Sequence, residues 1–259
     1  MAKMKRILPV LLLLCALGPA TSSCLAEDSV DAADWVRRGD ELLRGKTHSM
    51  DLTLRVKTPD WERSYELSSW MNGTEETFVR VLGPARVKGQ GFLKQKTRLW
   101  NYLPTAERTI LIPPSLMLED FMGSDFSNDD FVKMSYLVRD YTHKLLGEDA
   151  IDGVEAYRFE LLPKPDAAVV YGKLVMWSRK KDAGPLRTEF YDEKLALIRT
   201  LHYSDYRPAG EGGPQYPFTW RMENHAEPGN DTWITIHRAE FGAPLDPSIF
   251  TRENLENPR

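Results

Sequence analysis

Met50-Asp51-Leu52-Thr53-Leu54-Arg55-Val56-Lys57 puts its apolar side chains on alternate positions and its polar ones between them. Successive side chains of a strand point to opposite faces, so this stretch predicts a strand with one apolar and one wet face. A second run, 62–71, reaches Asn72-Gly73, a dipeptide that suits tight hairpins because both residues tolerate left-handed backbone. A third run returns over 76–82. Further short runs follow at 91–95, 99–103, 108–112, 141–146, 157–162, 171–178, 186–191, 197–206, 218–224 and 232–238, nearly all separated by turn residues. Such an array predicts a mainly β chain whose antiparallel sheet curls or closes.

Two segments break the period of two. Residues 29–45 predict a helix, with Ser29 as N-cap, Asp31 and Asp34 in the first turn, and Gly45 at the end. Its Ala32, Trp35, Val36, Gly39, Leu42 and Leu43 form one stripe that packs on the body of the protein. The second segment is 113–134. Pro113-Pro114 stop a strand, Ser115 to Met122 is short and apolar, and Gly123 breaks it. Ser127-Asn128-Asp129-Asp130 then caps a short helix carrying Phe131, Val132 and Met134. Inserted into a sheet protein, this reads as a cover over one opening of the sheet or as a static core plug. Gly89-Gln90-Gly91 precedes a strand and reads as a tight turn or bulge.

The N-terminus has the layout of a secretory signal: Lys3, Lys5 and Arg6, then an apolar run from Ile7 to Gly18, then small residues from Ala20 to Ala26. The run is too short to span a bilayer, which takes about 20 apolar residues. Cys24-Leu25-Ala26 fits an ordinary cleavage site that leaves Glu27 first. Thr21-Ser22-Ser23-Cys24 is a looser lipobox that would lipidate Cys24, and the free form is favoured. Residues 1–26 thus read as signal and 27–259 as a single domain. Cys15 and Cys24 both lie in that segment, so no disulfide scaffold is expected. Without Lys3, Lys5 and Arg6, 31 Lys and Arg stand against 38 Asp and Glu, a net charge of −7. This dispersed acidic balance gives no footprint for nucleic acid.

Motifs for catalysis and metal binding are weak. No Gly-x-Ser-x-Gly elbow is present, and the five histidines are scattered without HExxH spacing. His237 reads as a half-exposed strand residue. Asp120, Asp125, Asp129 and Asp130 lack calcium-loop spacing, and capping by Ser127 with Asp130 accounts for most of them. A non-enzyme without cofactor or metal is the reading, with a secreted hydrolase as the weaker rival.

Gly91-Phe92-Leu93-Lys94, Leu99-Trp100-Asn101-Tyr102-Leu103-Pro104, Arg108-Thr109, Ile112-Pro113-Pro114-Ser115 and Met122-Gly123-Ser124-Asp125-Phe126-Ser127 resemble the outer-membrane lipoprotein-sorting proteins of the LolA/LolB-like superfamily. The similarity continues through Glu160 to Lys164, Tyr171-Gly172-Lys173, Trp177, Glu189 to Asp192 and Ile249-Phe250-Thr251. The resemblance implies an unclosed β-barrel around an apolar cavity, with helices as a lid, acting in the periplasm on acyl chains of lipoproteins or other lipids. It also implies an arginine that latches the lid, for which Arg80 and Arg86 are candidates. Candidate inner-face positions are Leu52, Leu54, Leu67, Val79, Val81, Tyr102, Phe159 and Trp177, with Leu116, Met117, Phe121 and Met122 from the lid. Core packing explains each of them singly as well as lipid contact does.

The expected function is therefore a periplasmic carrier or chaperone moving lipid toward the outer membrane, with peripheral membrane contact on the way. An accessory subunit docking on a membrane permease is the rival from a different class. Intact mass of the mature protein is expected to show a Glu27 start; an acylated Cys24 would instead make it a lipid-anchored receptor.

Overall fold

The structure, a computed structural model, describes residues 30–128, 130, 137–167 and 169–257. The predicted signal with Cys15 and Cys24, the Ser29 cap, Asp129, and Phe131, Val132 and Met134 lie outside the described residues. Helix α1 runs Ala32–Arg44. Asp31 caps it: its carboxylate accepts the N–H groups of Ala33 and Asp34 at 2.9 and 3.2 Å, satisfying donors that the first turn leaves unpaired. Gly45, at φ +61, ends the helix as expected.

Each predicted run forms a strand: β1 (Thr47–Lys57), β2 (Glu62–Asn72), β3 (Glu76–Gly83), β4 (Gly91–Gln95), β5 (Arg98–Leu103), β6 (Arg108–Leu111), β7 (Tyr141–Ile151), β8 (Val154–Pro163), β9 (Lys173–Arg179), β10 (Pro185–Tyr191), β11 (Leu197–Pro208), β12 (Gln215–Asn224) and β13 (Asp231–Phe241). They make one 13-stranded sheet in the order β6-β5-β4-β3-β2-β1-β13-β12-β11-β10-β9-β8-β7. All pairs are antiparallel, and β6 and β7 are free edges, so the barrel does not close. At about 4.8 Å per strand a flat sheet would set those edges roughly 58 Å apart. Register shifts at Asp51/Leu52, Glu66/Leu67, Leu145/Gly147, Pro185/Arg187 and Phe190/Tyr191 mark bulges, each of which bends its strand and tightens the twist. The result is a trough with a concave and a convex face.

Three apolar clusters line the concave face. One centres on Leu54, Leu67, Val79 and Phe92, and one on Leu201, Tyr203, Trp220 and Met222. The third joins Phe159, Leu161, Leu174 and Met176 to Val36 of α1, so the helix covers that end of the trough. Gly39 of α1 faces the Ala183 carbonyl so closely that a Cβ would stand 2.8 Å from the oxygen. Trp35 meets Tyr157 edge-on at 5.2 Å.

The convex face carries the C-terminus. A 3-10 turn, Pro247–Phe250, and helix α2, Arg252–Glu256, lie over β3 to β5 and bury Phe250 and Leu255 against Phe78, Leu93 and Trp100. Arg80 fixes this staple. Its guanidinium donates to the carbonyls of Gly89 at 2.8 Å and Leu255 at 3.0 Å, and also to that of Asn254. The predicted lid-latching role of Arg80 is therefore corrected: the side chain points away from the trough. Arg86 is exposed and makes no such contact. Gly89, at φ +89, closes the expected tight turn. Gly91 sits in β4 where a Cβ would meet Leu255 Cδ1 at 2.7 Å. Arg80→Ala is expected to lower unfolding stability by about 3 kcal/mol, because one buried and two part-buried carbonyls lose a donor. Urea unfolding measures this, and Arg80→Lys should recover part of it.

Candidate functional site

The floor of the trough is built in cross-strand rows. Leu201 pairs with Met222, Met222 with Thr232, and Thr232 with Val56. One pleat along, Tyr203 pairs with Trp220, Trp220 with Ile234, and Ile234 with Leu54. Side chains two apart share a face, so the rows stack into a continuous apolar surface. At the other rim, one pleat beyond Leu201 and Met222, the row turns polar with Arg199 opposite Asn224.

Two apolar cavities of about 100 Å³ each remain above this floor. The first lies under α1 and is lined by Leu174, Met176, Phe190, Leu201, Tyr203 and Met222 among others. The second is lined by Leu52, Leu54, Leu67, Val79, Trp220 and Ile234 with Phe121. Phe126 lines both. A polar cavity of about 170 Å³ sits at the Arg199–Asn224 rim.

The cover is the connection from β6 to β7. Pro113 and Pro114 end β6, and 3-10 turns form at Pro114–Leu116 and Phe121–Gly123. The Phe121 N–H donates to the Phe126 carbonyl at 2.7 Å, closing a loop that drives both rings inward. Phe121 packs on Phe92 with ring centroids 4.6 Å apart. Ser127 and Asp130 bond reciprocally: the Asp130 N–H donates to Ser127 Oγ at 3.0 Å, and the Ser127 N–H to Asp130 Oδ2 at 2.8 Å. That is the expected capping box.

Carboxylates tie the cover down. Asp125 is buried; it accepts from Asn224 Nδ2 at 2.9 Å and Thr232 Oγ1 at 2.6 Å, while its own N–H donates to Thr232 Oγ1 at 2.9 Å. Asp130 accepts from the Tyr171 hydroxyl at 2.9 Å and from Arg199 Nη1 at 3.4 Å. Burial pushes the Tyr171 hydroxyl well above its ordinary range, and Asp130 adds to that. Burial alone would pull Arg199 down, but Tyr171 and Asp130 hold its charge more firmly than usual. Burial raises the Asp120 carboxyl. Among the described residues no group of three or more His, Cys, Asp or Glu could hold a metal.

Of the positions predicted for the inner face, Leu52, Leu54, Leu67, Val79 and Phe121 come together around the second cavity. Val81, Met117 and Met122 pack on the same cluster, and Phe159 lies on the concave face beneath α1. Three others are corrected. Trp177 faces the convex side, where Arg187 lies 3.9 Å from its ring centre and its Nε1–H donates to Asp149. Tyr102 packs under the C-terminal staple, and Leu116 is 44 % exposed. Runs such as Leu174-Val175-Met176-Trp177 and Leu99-Trp100-Asn101-Tyr102 are apolar on both faces, so alternation cannot orient them. Sequence reasoning missed Phe126 and the first cavity, to whose lining the run 218–224 contributes Met222.

Residues 73–257 match a family model described as that of an uncharacterized protein. No curated protein matches the chain. Solved structures do. A DUF1329 family protein from Desulfovibrio piger superposes with a TM-score of 0.79 at 24 % identity, covering 86 % of this chain and 97 % of that one. A domain assigned to outer membrane lipoprotein sorting from Vibrio parahaemolyticus gives 0.75 at 22 %, covering 87 % and 98 %. A LolA superfamily protein from Nitrosomonas europaea gives 0.71 at 24 %, covering 87 % and 99 %.

Asp125→Asn leaves one buried donor facing another, at a cost of about 1–3 kcal/mol. Hydrogen exchange at the amides of 124–128 is expected to quicken by about 5- to 150-fold, since 1.4 kcal/mol is a factor of ten. Unchanged protection would show that Asp125 does not hold the cover.

Proposed function

The chain belongs to the family it matches over residues 73–257 and has the LolA superfamily fold; from that premise we propose that it carries acyl chains of lipoproteins or other lipids in the trough, in the periplasm, toward the outer membrane. The observation that carries the reading is the apolar floor covered by a segment that, among its described residues, buries Phe121 and Phe126 against it. A hydrolase would want polar groups converging on a scissile bond. Here the two cavities above the floor are lined mainly by hydrocarbon, and the polar cavity lies at their rim.

The energetics suit a shuttle. Burying a methylene is worth about 0.8 kcal/mol, so an acyl chain needs no specific polar partner. The cavities as they stand are smaller than an engineered apolar cavity of about 150 Å³ that binds benzene. A long chain therefore enters by displacing Phe121 and Phe126, and re-closure of the cover opposes binding. The net affinity is moderate, which permits hand-over. Leu116 and Leu118, exposed on the same segment, would meet the membrane or a receptor when the cover lifts.

Lipid extracted from protein purified under native conditions is expected to contain acyl chains by mass spectrometry. Met176→Glu, which puts a charge in the first cavity, should reduce the lipid recovered at least about tenfold. Repeated absence of lipid, with no uptake of palmitate in vitro, would overturn the reading.

A further inference from the structure

We propose that the free edge at β6, together with the start of the cover that leaves it, is the face that docks on an anionic phospholipid surface. The inference rests on the carrier reading and deepens it, by naming the lipid class the carrier meets and the face that meets it.

Within an acidic chain one stretch is basic. From Thr77 to Leu118 there are seven Lys and Arg and one acidic residue, Glu107, a net charge of +6 where residues 27–259 together carry −7. Arg80 and Lys94 are buried. The other five, Arg86, Lys88, Lys96, Arg98 and Arg108, are exposed, and among the described residues no carboxylate forms an ion pair with them. Two neighbouring carboxylates are engaged elsewhere: Glu76 accepts from Asn72, and Glu256 from Arg252 and Thr109. The stretch folds into β3 to β6, four adjacent strands at one side of the sheet, so the bias in sequence becomes a bias in space. A Cβ on Gly89 would stand 3.7 Å from Pro104, which sets Arg86, Lys88 and Arg108 together at one end of the edge. The β4–β5 hairpin carries Lys96 and Arg98 at the other end.

The same face is apolar. Among the described residues ten large hydrophobic side chains are exposed. Five of them, Leu82, Ile110, Leu111, Leu116 and Leu118, lie on β3, β6 and the cover, each at least 44 % exposed. Ile110 and Leu111 are neighbours in a strand and point to opposite faces. A rigid protein surface laid on one face would reach one of them; a fluid interface into which the edge dips reaches both. Exposed aliphatic side chains among cations fit an anionic lipid–water interface, where hydrocarbon burial and charge attraction act together. The outer N–H and C=O groups of β6, which no strand pairs, set the depth. They cannot enter hydrocarbon, so the edge rests among the headgroups. Docking there brings the start of the cover to the lipid. The opposite edge differs: β7 carries both signs, with Glu148 paired to Lys180 and Asp149 to Arg158.

Co-sedimentation of the mature chain with vesicles tests the docking face. The probes are phosphatidylcholine vesicles and mixed phosphatidylcholine–phosphatidylglycerol vesicles. Binding is expected to the anionic vesicles, falling as salt is raised, and at least about tenfold weaker to the neutral ones. One cation at such a surface is worth about a fivefold gain in binding. Arg86→Gln, Lys88→Gln and Arg108→Gln combined should therefore weaken binding about a hundredfold, with thermal unfolding unchanged. Ile110→Ser with Leu118→Ser should weaken it at least about tenfold and leave the salt dependence in place. Residues 27–259 contain no cysteine, so a polarity-sensitive dye can report the face. Attached at Ile110→Cys, its emission should shift to the blue on anionic vesicles; attached at Lys144→Cys on β7, it should not. Equal binding to both vesicles, unchanged binding of the triple variant, or a shift at Lys144→Cys alone would overturn the docking inference and leave the carrier reading standing. No binding to either vesicle would also overturn it, in favour of an acidic protein as the occupant. Failure to take up palmitate would overturn the carrier reading itself.

Discussion

Consecutive strands β6 and β7 stand at opposite edges of one sheet, and that topological constraint sets the rest of the structure. The chain between them has to cross from one edge to the other. Bulges curl the sheet into a trough, and the connection then bridges its mouth. The connection need not be apolar throughout; it needs only side chains that reach the floor. Phe121 and Phe126 do so, on a loop closed by the bond between the Phe121 N–H and the Phe126 carbonyl. Because the connection has its ends in the edge strands β6 and β7, the ladders of the central sheet do not run through it.

What holds the strap down differs in kind from what holds the C-terminus. The C-terminal staple buries Phe250 and Leu255 fully and is bonded by a cation to backbone carbonyls, which cannot move without the helix. Among the described residues the strap is held to the sheet at two polar points, Asp125 on Thr232 and Asn224, and Asp130 on Tyr171 and Arg199. Each net hydrogen bond is worth roughly 1 kcal/mol because water replaces it on opening. Burying one acyl methylene contributes a similar amount. In the carrier reading, a cover fastened by a few such bonds and two rings uncovers less apolar surface on lifting than a fully apolar plug of the same size would.

Much of this was legible in the sequence, for a physical reason. Strands with one wet face announce both their existence and their orientation, as Met50 to Val56 does, and Leu52, Leu54, Leu67 and Val79, expected on one inner face, lie around one cavity. Where both faces are covered the signal degenerates. Trp177 lies under Arg187 and Tyr102 under the C-terminal staple, and nothing local distinguishes those covers from the trough. Arg80 failed for a related reason: a buried arginine near a predicted opening suits a latch, but its partners are carbonyls about 175 residues away in sequence. Contacts at that separation have no local trace.

The same logic explains why Phe126 escaped notice while its neighbours did not. Ser127 and Asp130 follow the capping pattern, and Asp125 stood out as a carboxylate needing a purpose. An isolated phenylalanine among polar residues carries no periodicity. Its position is set by the bonds on either side of it: Asp125 fixed to the sheet through Thr232 and Asn224, and Ser127 fixed by the capping box. With both neighbours pinned, the ring between them has one direction left, down into the floor. The polar anchors of the cover thereby position the ring that lines both apolar cavities. A substitution that loosens Asp125 should consequently disturb those cavities as well as the cover, because the same backbone serves both.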